Sequence, residues 1–304
     1  MKNMKKLFLL WLFMMISLLT PSLANADAKK WAFQPRLTTG LMHYEFEYTF
    51  TAPDESQSPS KFQFIDNMPF IGGGAMLAYD RCFADTYFQV SATGKDGGGT
   101  EEKDEYVIER DSNEFDRKDY AITLGCLVTK KLSFFTGYRN GKTDIHIASR
   151  QNWLYDRNNK ERIGDAKYES DGLFLGMAYS HPIGKGQFGI KLAAAKLEAE
   201  YNQHNITRTN NRAVGDGTKT SDDATWNLSG KTLGWTLGAN WTAPISKRLS
   251  YRISLDYSDY DFDTDSAYVI RDKKADFLNI LGGGVNYDMK ETMYSLQLQL
   301  LYQF

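Results

Sequence analysis

The feature that most constrains this chain is strict two-residue alternation. Tyr294, Leu296, Leu298, Leu300, Tyr302 and Phe304 share one parity, and Ser295, Gln297, Gln299, Leu301 and Gln303 share the other. Successive side chains of a strand point to opposite faces, so this stretch has one apolar and one mostly polar face. The pattern recurs in 230–242, where Leu233, Trp235, Leu237, Ala239 and Trp241 oppose Thr232, Gly234, Thr236, Gly238 and Asn240. In 249–258, Leu249, Tyr251, Ile253, Leu255 and Tyr257 oppose Ser250, Arg252, Ser254, Asp256 and Ser258. Trp235 and Trp241, like Tyr251 and Tyr257, stand six residues apart. At about 3.3 Å per residue they are roughly 20 Å apart along the strand. Tilted, that nearly spans the apolar band of about 25 Å that aromatic girdles bracket in a membrane barrel. A soluble sandwich has no reason to put aromatics at both ends of one face.

The last eleven residues, ending in Leu298, Leu300, Tyr302 and Phe304, resemble the closing strand of bacterial outer-membrane β-barrels. In that family a terminal Phe with apolar residues at every second position is the assembly signal. The resemblance implies a transmembrane antiparallel up-and-down β-barrel, all-β, in the outer membrane of a Gram-negative-type bacterium. It implies contact with outer-membrane lipids and lipopolysaccharide, and assembly with periplasmic chaperones and the barrel-insertion machinery. Trp235, Trp241, Tyr251, Tyr257, Tyr302 and Phe304 are the expected girdle residues.

The amino-terminal residues read as an address. Lys2, Lys5 and Lys6 precede an apolar run, Leu7 to Leu19, then Pro21 and the small-x-small Ala24-Asn25-Ala26. That order is a secretory signal, and the run falls short of the roughly 20 residues a membrane helix needs. Cleavage is expected before Asp27, leaving a single barrel domain, 27–304. No Cys follows that site to carry a lipid anchor.

The mean hydropathy of -0.48, with no later apolar run long enough to span, excludes a helical membrane protein. A barrel remains, because each strand gives only alternate residues to lipid. The 18 Tyr and 18 Phe supply girdles. A net charge of -2 gives no reason to invoke nucleic acid, and no Cys/His spacing suggests a zinc site or another resident cofactor.

Short breaks fall at 79–81, 129–131, 181–186 and 243–247, and long polar breaks near 51–61, 95–117, 148–169, 205–229 and 263–290. This is the asymmetry of short periplasmic turns and long extracellular loops. Between them lie ten strand candidates: 33–50, 62–79, 83–94, 118–128, 132–147, 170–180, 187–204, 230–242, 249–262 and 291–304. The segment 274–287 also alternates, but an odd strand count would leave the termini on opposite sides, so it is assigned to the last loop. Twelve strands is the alternative. The two cysteines, Cys82 and Cys126, lie near the bases of neighbouring strands, within reach of a disulfide in an oxidising compartment. Cys126 shares the outward face of Ile122 and Leu124, which favours two unpaired, apolar side chains.

Arg139, Lys191, Arg252 and Asp256 are expected to line the lumen, with Asp256 near Arg252. A ten-stranded barrel is barely wider than the size side chains fill. The lumen is therefore either a narrow, porin-like channel for small solutes, the favoured reading, or a closed barrel that is structural or adhesive. Asp259, Asp261, Asp263 and Asp265 continue the outward face of Tyr257. Above the girdle they are candidates for Ca²⁺-bridged contact with lipopolysaccharide phosphates, or a solvated strand extension.

Enzymatic readings are weaker. Asp144-Ile145-His146 has the local Asp-x-His spacing of the omptin proteases, ten-stranded barrels that pair it with a second acidic pair to activate water. That resemblance implies an inward groove, whereas Asp144 and His146 continue the outward face of Phe134 and Tyr138. No partner pair is identifiable. None of His43, His146, His181 or His204 has Ser two residues later, as lipid-hydrolysing barrels require. The expectation is a barrel without catalytic residues.

Overall fold

The computed structural model describes residues 31–51, 60–91, 94–95, 100–104, 107–111, 113–153, 158–211, 219–271 and 286–304. The expected leader 1–26, its cleavage site and nearly all of 274–287 lie outside them. Ten long strands build the wall: β1 (Trp31–Thr51), β2 (Ser60–Tyr79), β3 (Cys82–Ser91), β4 (Glu114–Leu127) and β5 (Leu132–Trp153). The chain continues through β6 (Asn158–Ile183), β7 (Gly186–Asn211), β8 (Lys219–Pro244), β9 (Leu249–Arg271) and β10 (Asn286–Tyr302). Each pairs antiparallel with the next, and β10 pairs back onto β1 from Arg36↔Leu301 to Thr51↔Asn286. The sheet is therefore a closed ten-stranded antiparallel barrel without a free edge, the arrangement that satisfies every ladder amide inside lipid. Between β3 and β4, the short strands Thr100–Asp104 and Val107–Asp111 form a hairpin that pairs onto the top of β5.

The short connections all lie at one end. Asp80 and Gly184 take positive φ (55° and 56°), which a tight turn requires and which Gly adopts without steric cost. The Thr129 and Ser246 hydroxyls accept the amides of Leu132 and Leu249 (3.0 and 3.2 Å) and close two others.

Every one of the ten strands was legible, but several run further than the alternation suggested. Much of the polar breaks at 148–169, 205–229 and 263–290 is strand, because the hydrophobic phase inverts along the barrel. In β9, Ile253 and Leu255 face outward against inward Ser254 and Ser258; a few residues later Asp259 and Asp261 face outward against buried Tyr260 and Phe262. In β1, outward Leu37 and Leu41 give way to Glu45 and Glu47, and inward Thr38 to Tyr44, Phe46 and Tyr48. The lower half presents an apolar exterior; the upper half is a collar with a polar exterior and an apolar interior. A scan for apolar outer faces stops where lipid stops.

The expectation of two unpaired cysteines is corrected. Cys82 and Cys126 face each other directly across β3 and β4, with Cα atoms 4.0 Å apart, and form a disulfide. Both lie on the exposed outer surface at the short-turn end, where the register brings the sulfurs together.

Candidate functional site

The lumen is layered. Nearest the short turns, Arg36 donates to both oxygens of Asp85 (2.5 and 3.0 Å), a bidentate pair. Lys191 pairs with Asp256 at 2.9 Å. Between them in register stands Gly238, where a Cβ would come within 2.4 Å of Lys191 Cε, so only Gly lets the two meet. Asp256 thus engages a strand two away, and the expected Asp256–Arg252 proximity yields no ion pair; Arg252 instead donates through Nε to Thr242 Oγ1 at 2.9 Å. Arg139 also points inward, donating to Tyr260 Oη and stacking on its ring at 4.8 Å.

Above this lies a knot that the sequence did not reveal. Arg117, fully buried, donates to Asp119 (2.7 Å), to Glu291 (2.7 Å) and to Thr143 (2.9 Å), and lies 4.8 Å over the ring of Tyr44. Glu291 is 0% exposed; its second oxygen accepts from the hydroxyls of Tyr168 and Ser170, each at 3.3 Å. Over the knot, Phe46 packs on Tyr168 and Tyr201 (ring centroids 4.4 and 5.1 Å), while Tyr48 and Tyr201 both donate to Gln203. Met68, Leu197, Phe262 and Met289 fill the remaining space, each at most 1% exposed. The one available signal was the Phe115, Arg117, Asp119 alternation, which lies in and beside a stretch assigned to a loop.

Outside, Trp235, Tyr257, Tyr294 and His43 form a contiguous band, with centroid spacings of 4.9, 4.7 and 5.9 Å. Tyr302 and Phe304 meet edge-on at 4.8 Å at the opposite end, and Tyr251 and Trp241 lie towards that end too. Directly above Tyr257, Asp259, Asp261 and Asp263 point outward, but lysines interleave with them. Lys290 reaches Asp259 at 3.3 Å, and Lys231 reaches Asp265 at 3.6 Å. Asp265 is the extra residue of a bulge opposite Ser229 and Gly230. Among the described residues no three carboxylate, His or Cys side chains gather with metal-holding geometry.

The Asp261 carboxyl is held above the usual carboxylate range, first by partial burial; Lys290 opposes this, while Asp288, Asp259 and Asp263 add to it. A raised carboxyl favours the protonated folded state, so ionised Asp261 works against folding at neutral pH. Asp261→Asn is expected to raise the unfolding temperature at neutral pH. The gain should shrink as pH falls through the raised value and vanish below the ordinary carboxylate range. Thermal melts at pH 7 and pH 3 check it; an equal gain at both would refute the cause.

Higher on the collar, His146 Nδ1 meets Asp165 Oδ1 at 2.7 Å, and His204 Nε2 meets Asp223 Oδ1 at 2.7 Å. Glu114, His146, Asp165 and His204 are lateral neighbours on one outer row of β4 to β7. With Asp144 and Lys167 they border a shallow surface depression. Asp144 and His146 alternate with buried Thr143, Ile145 and Ile147, so they face outward, away from the lumen. The carboxylates can orient these imidazoles, but half of each side chain is exposed to solvent.

No protein-family model and no curated protein matches this sequence. Among solved structures the chain is similar to the outer membrane protease OmpT from Escherichia coli, with a TM-score of 0.61 at 8% identity over 92% of this chain and 100% of that one. A FadL homologue from Pseudomonas aeruginosa aligns at TM-score 0.34 and 11% identity, covering 89% and 90% of the two chains. The outer membrane protein OprG from the same organism aligns at 0.27 and 13%, covering 88% and 95%. The fold is that of the outer-membrane β-barrels.

Proposed function

We propose that this chain is an integral outer-membrane barrel whose lumen is closed and whose work is done from its outer collar and long loops, as a structural or adhesive surface protein. One observation carries the reading: the upper lumen is filled by Phe46, Tyr168, Leu197, Tyr201, Phe262 and Met289, each less than 2% exposed, above a fully buried Arg117–Glu291 pair. A water-filled pore keeps a polar, wet lining, whereas this interior is packed like a protein core. The charged collar above the Tyr257–Tyr294 band lies where lipopolysaccharide head groups meet the protein. The barrel is not an enzyme in this reading. The His146–Asp165 and His204–Asp223 pairs, with Glu114, Asp116 and Asp144 beside them, stand on an open, solvent-exposed outer surface and serve as surface contacts.

Single-channel recording in planar bilayers tests the proposal. The refolded protein is expected to insert and give no stepwise conductance. Removing Phe46 and Tyr201 side chains together (Phe46→Ala with Tyr201→Ala) should then admit ions. Discrete conductance steps from the wild type would overturn the closed barrel and restore the channel.

A further inference from the structure

We propose that the lower lumen binds a small oxyanion that also carries a hydroxyl, of the hydrogenphosphate class, at the seam where β10 closes onto β1. Arg252 on β9, Gln299 on β10 and Thr38 on β1 are direct register partners in that order, and all three face inward. Each has unmet polar capacity. Beyond the Nε bond to Thr242, the Arg252 guanidinium has no hydrogen-bond or ion-pair partner among the described residues. The Thr38 hydroxyl and the Gln299 amide oxygen are buried, 0% and 7% exposed as residues, and have no hydrogen-bond partner among the described residues. Buried polar atoms are rarely left so, because each costs about 1–3 kcal/mol.

The charges around the seam do not balance. Asp85 is taken by Arg36 through both oxygens, and Asp256 by Lys191 and Gln297. Among the described residues, three cations, Arg36, Lys191 and Arg252, thus face two carboxylates, whereas in the layer above Arg117 and Arg139 are matched by Asp119 and Glu291. The unpaired cation is the one beside the two orphan atoms.

The donor and acceptor set selects the ligand. The free edge of Arg252 suits a planar pair of oxyanion oxygens, and the Thr38 hydroxyl donates a third bond. The Gln299 oxygen can only accept, so the occupant must also donate. Chloride, a carboxylate and fully ionised sulfate cannot; hydrogenphosphate can. Bound there, the anion would tie β9, β10 and β1 together across the closure of the barrel. The site needs only the lower lumen and is independent of how tightly the upper lumen is packed.

Calorimetric titration of the refolded full barrel in detergent, with inorganic phosphate and with sulfate at matched ionic strength, tests the site. Phosphate is expected to bind, with sulfate weaker, and affinity should fall about tenfold or more in Arg252→Gln, as the loss of a charge-assisted hydrogen bond implies. Thr38→Val, nearly isosteric, should weaken phosphate several-fold, and this variant decides alone if Arg252→Gln fails to give the folded, heat-modifiable form. Absence of phosphate binding would mean ordered water fills the seam and would overturn the proposal. So would sulfate binding as tightly as phosphate, or unchanged affinity in Thr38→Val.

Discussion

Glu291→Leu is expected to destabilise the barrel by about 3–5 kcal/mol, the usual cost of removing one member of a buried ion pair. Glu291 is fully enclosed and takes donors from Arg117, Tyr168 and Ser170, so its loss strands three buried donors at once. Arg117 retains Asp119, which keeps the guanidinium paired and holds the loss within that range. The double variant Arg117→Met with Glu291→Leu removes the charge along with its partner. It should recover part of the loss, since an ion pair replaced whole by apolar side chains is often close to neutral. Urea titrations followed by the heat-modifiable gel shift measure the wild type, both single variants, Arg117→Met and Glu291→Leu, and the double variant. A Glu291→Leu variant as stable as wild type, or a double variant worse than the sum of the two singles, would show that Arg117 and Glu291 do not act as one buried unit.

This knot also marks the limit of what could be read in advance. The wall was legible: alternation in 230–242, 249–258 and 294–304 gave the strands, their outward faces and the aromatic bands, because lipid imposes a pattern that each segment carries locally. The lumen was legible only as parity. Arg139, Lys191, Arg252 and Asp256 do face inward, yet their partners come from other strands. Lys191 is joined to Asp256 from β7 to β9, and Arg117 to Glu291 across 174 positions. Periodicity within one segment says nothing about such distances. The disulfide escaped for a related reason. Its outward parity suggested burial in lipid, but the register places the pair at the exposed short-turn edge. The collar was misread as loops because its apolar residues had moved to the other parity, and a polar exterior with an apolar interior is also how a water-soluble sheet is patterned.

That inversion of phase makes a sharp prediction along one strand. Leu255 stands outward between Tyr251 and Tyr257, 59% exposed, at the middle of the apolar band. Leu255→Arg there is expected to cost about 2–4 kcal/mol, the penalty for a cation facing lipid near the bilayer midplane. Asp261→Arg, on the same face six residues further, should cost at most about 1 kcal/mol, because its surroundings are head groups and water and the change removes a carboxylate crowded by Asp259, Asp263 and Asp288. Phe262→Arg, one residue beyond and turned into the collar, should cost more than either, since it buries an unpaired charge among Tyr168, Met289 and their neighbours. The order of the three therefore tests lipid, surface and packed interior along a single strand. Reversible unfolding in phospholipid vesicles gives the three free energies. The same variants in detergent micelles should keep the Phe262→Arg penalty and lose part of the Leu255→Arg penalty, because a micelle deforms to hydrate a charge and a packed interior does not. A Leu255→Arg barrel as stable as Asp261→Arg in vesicles would mean that this face does not meet lipid, and the membrane-spanning assignment of β9 would fall with it.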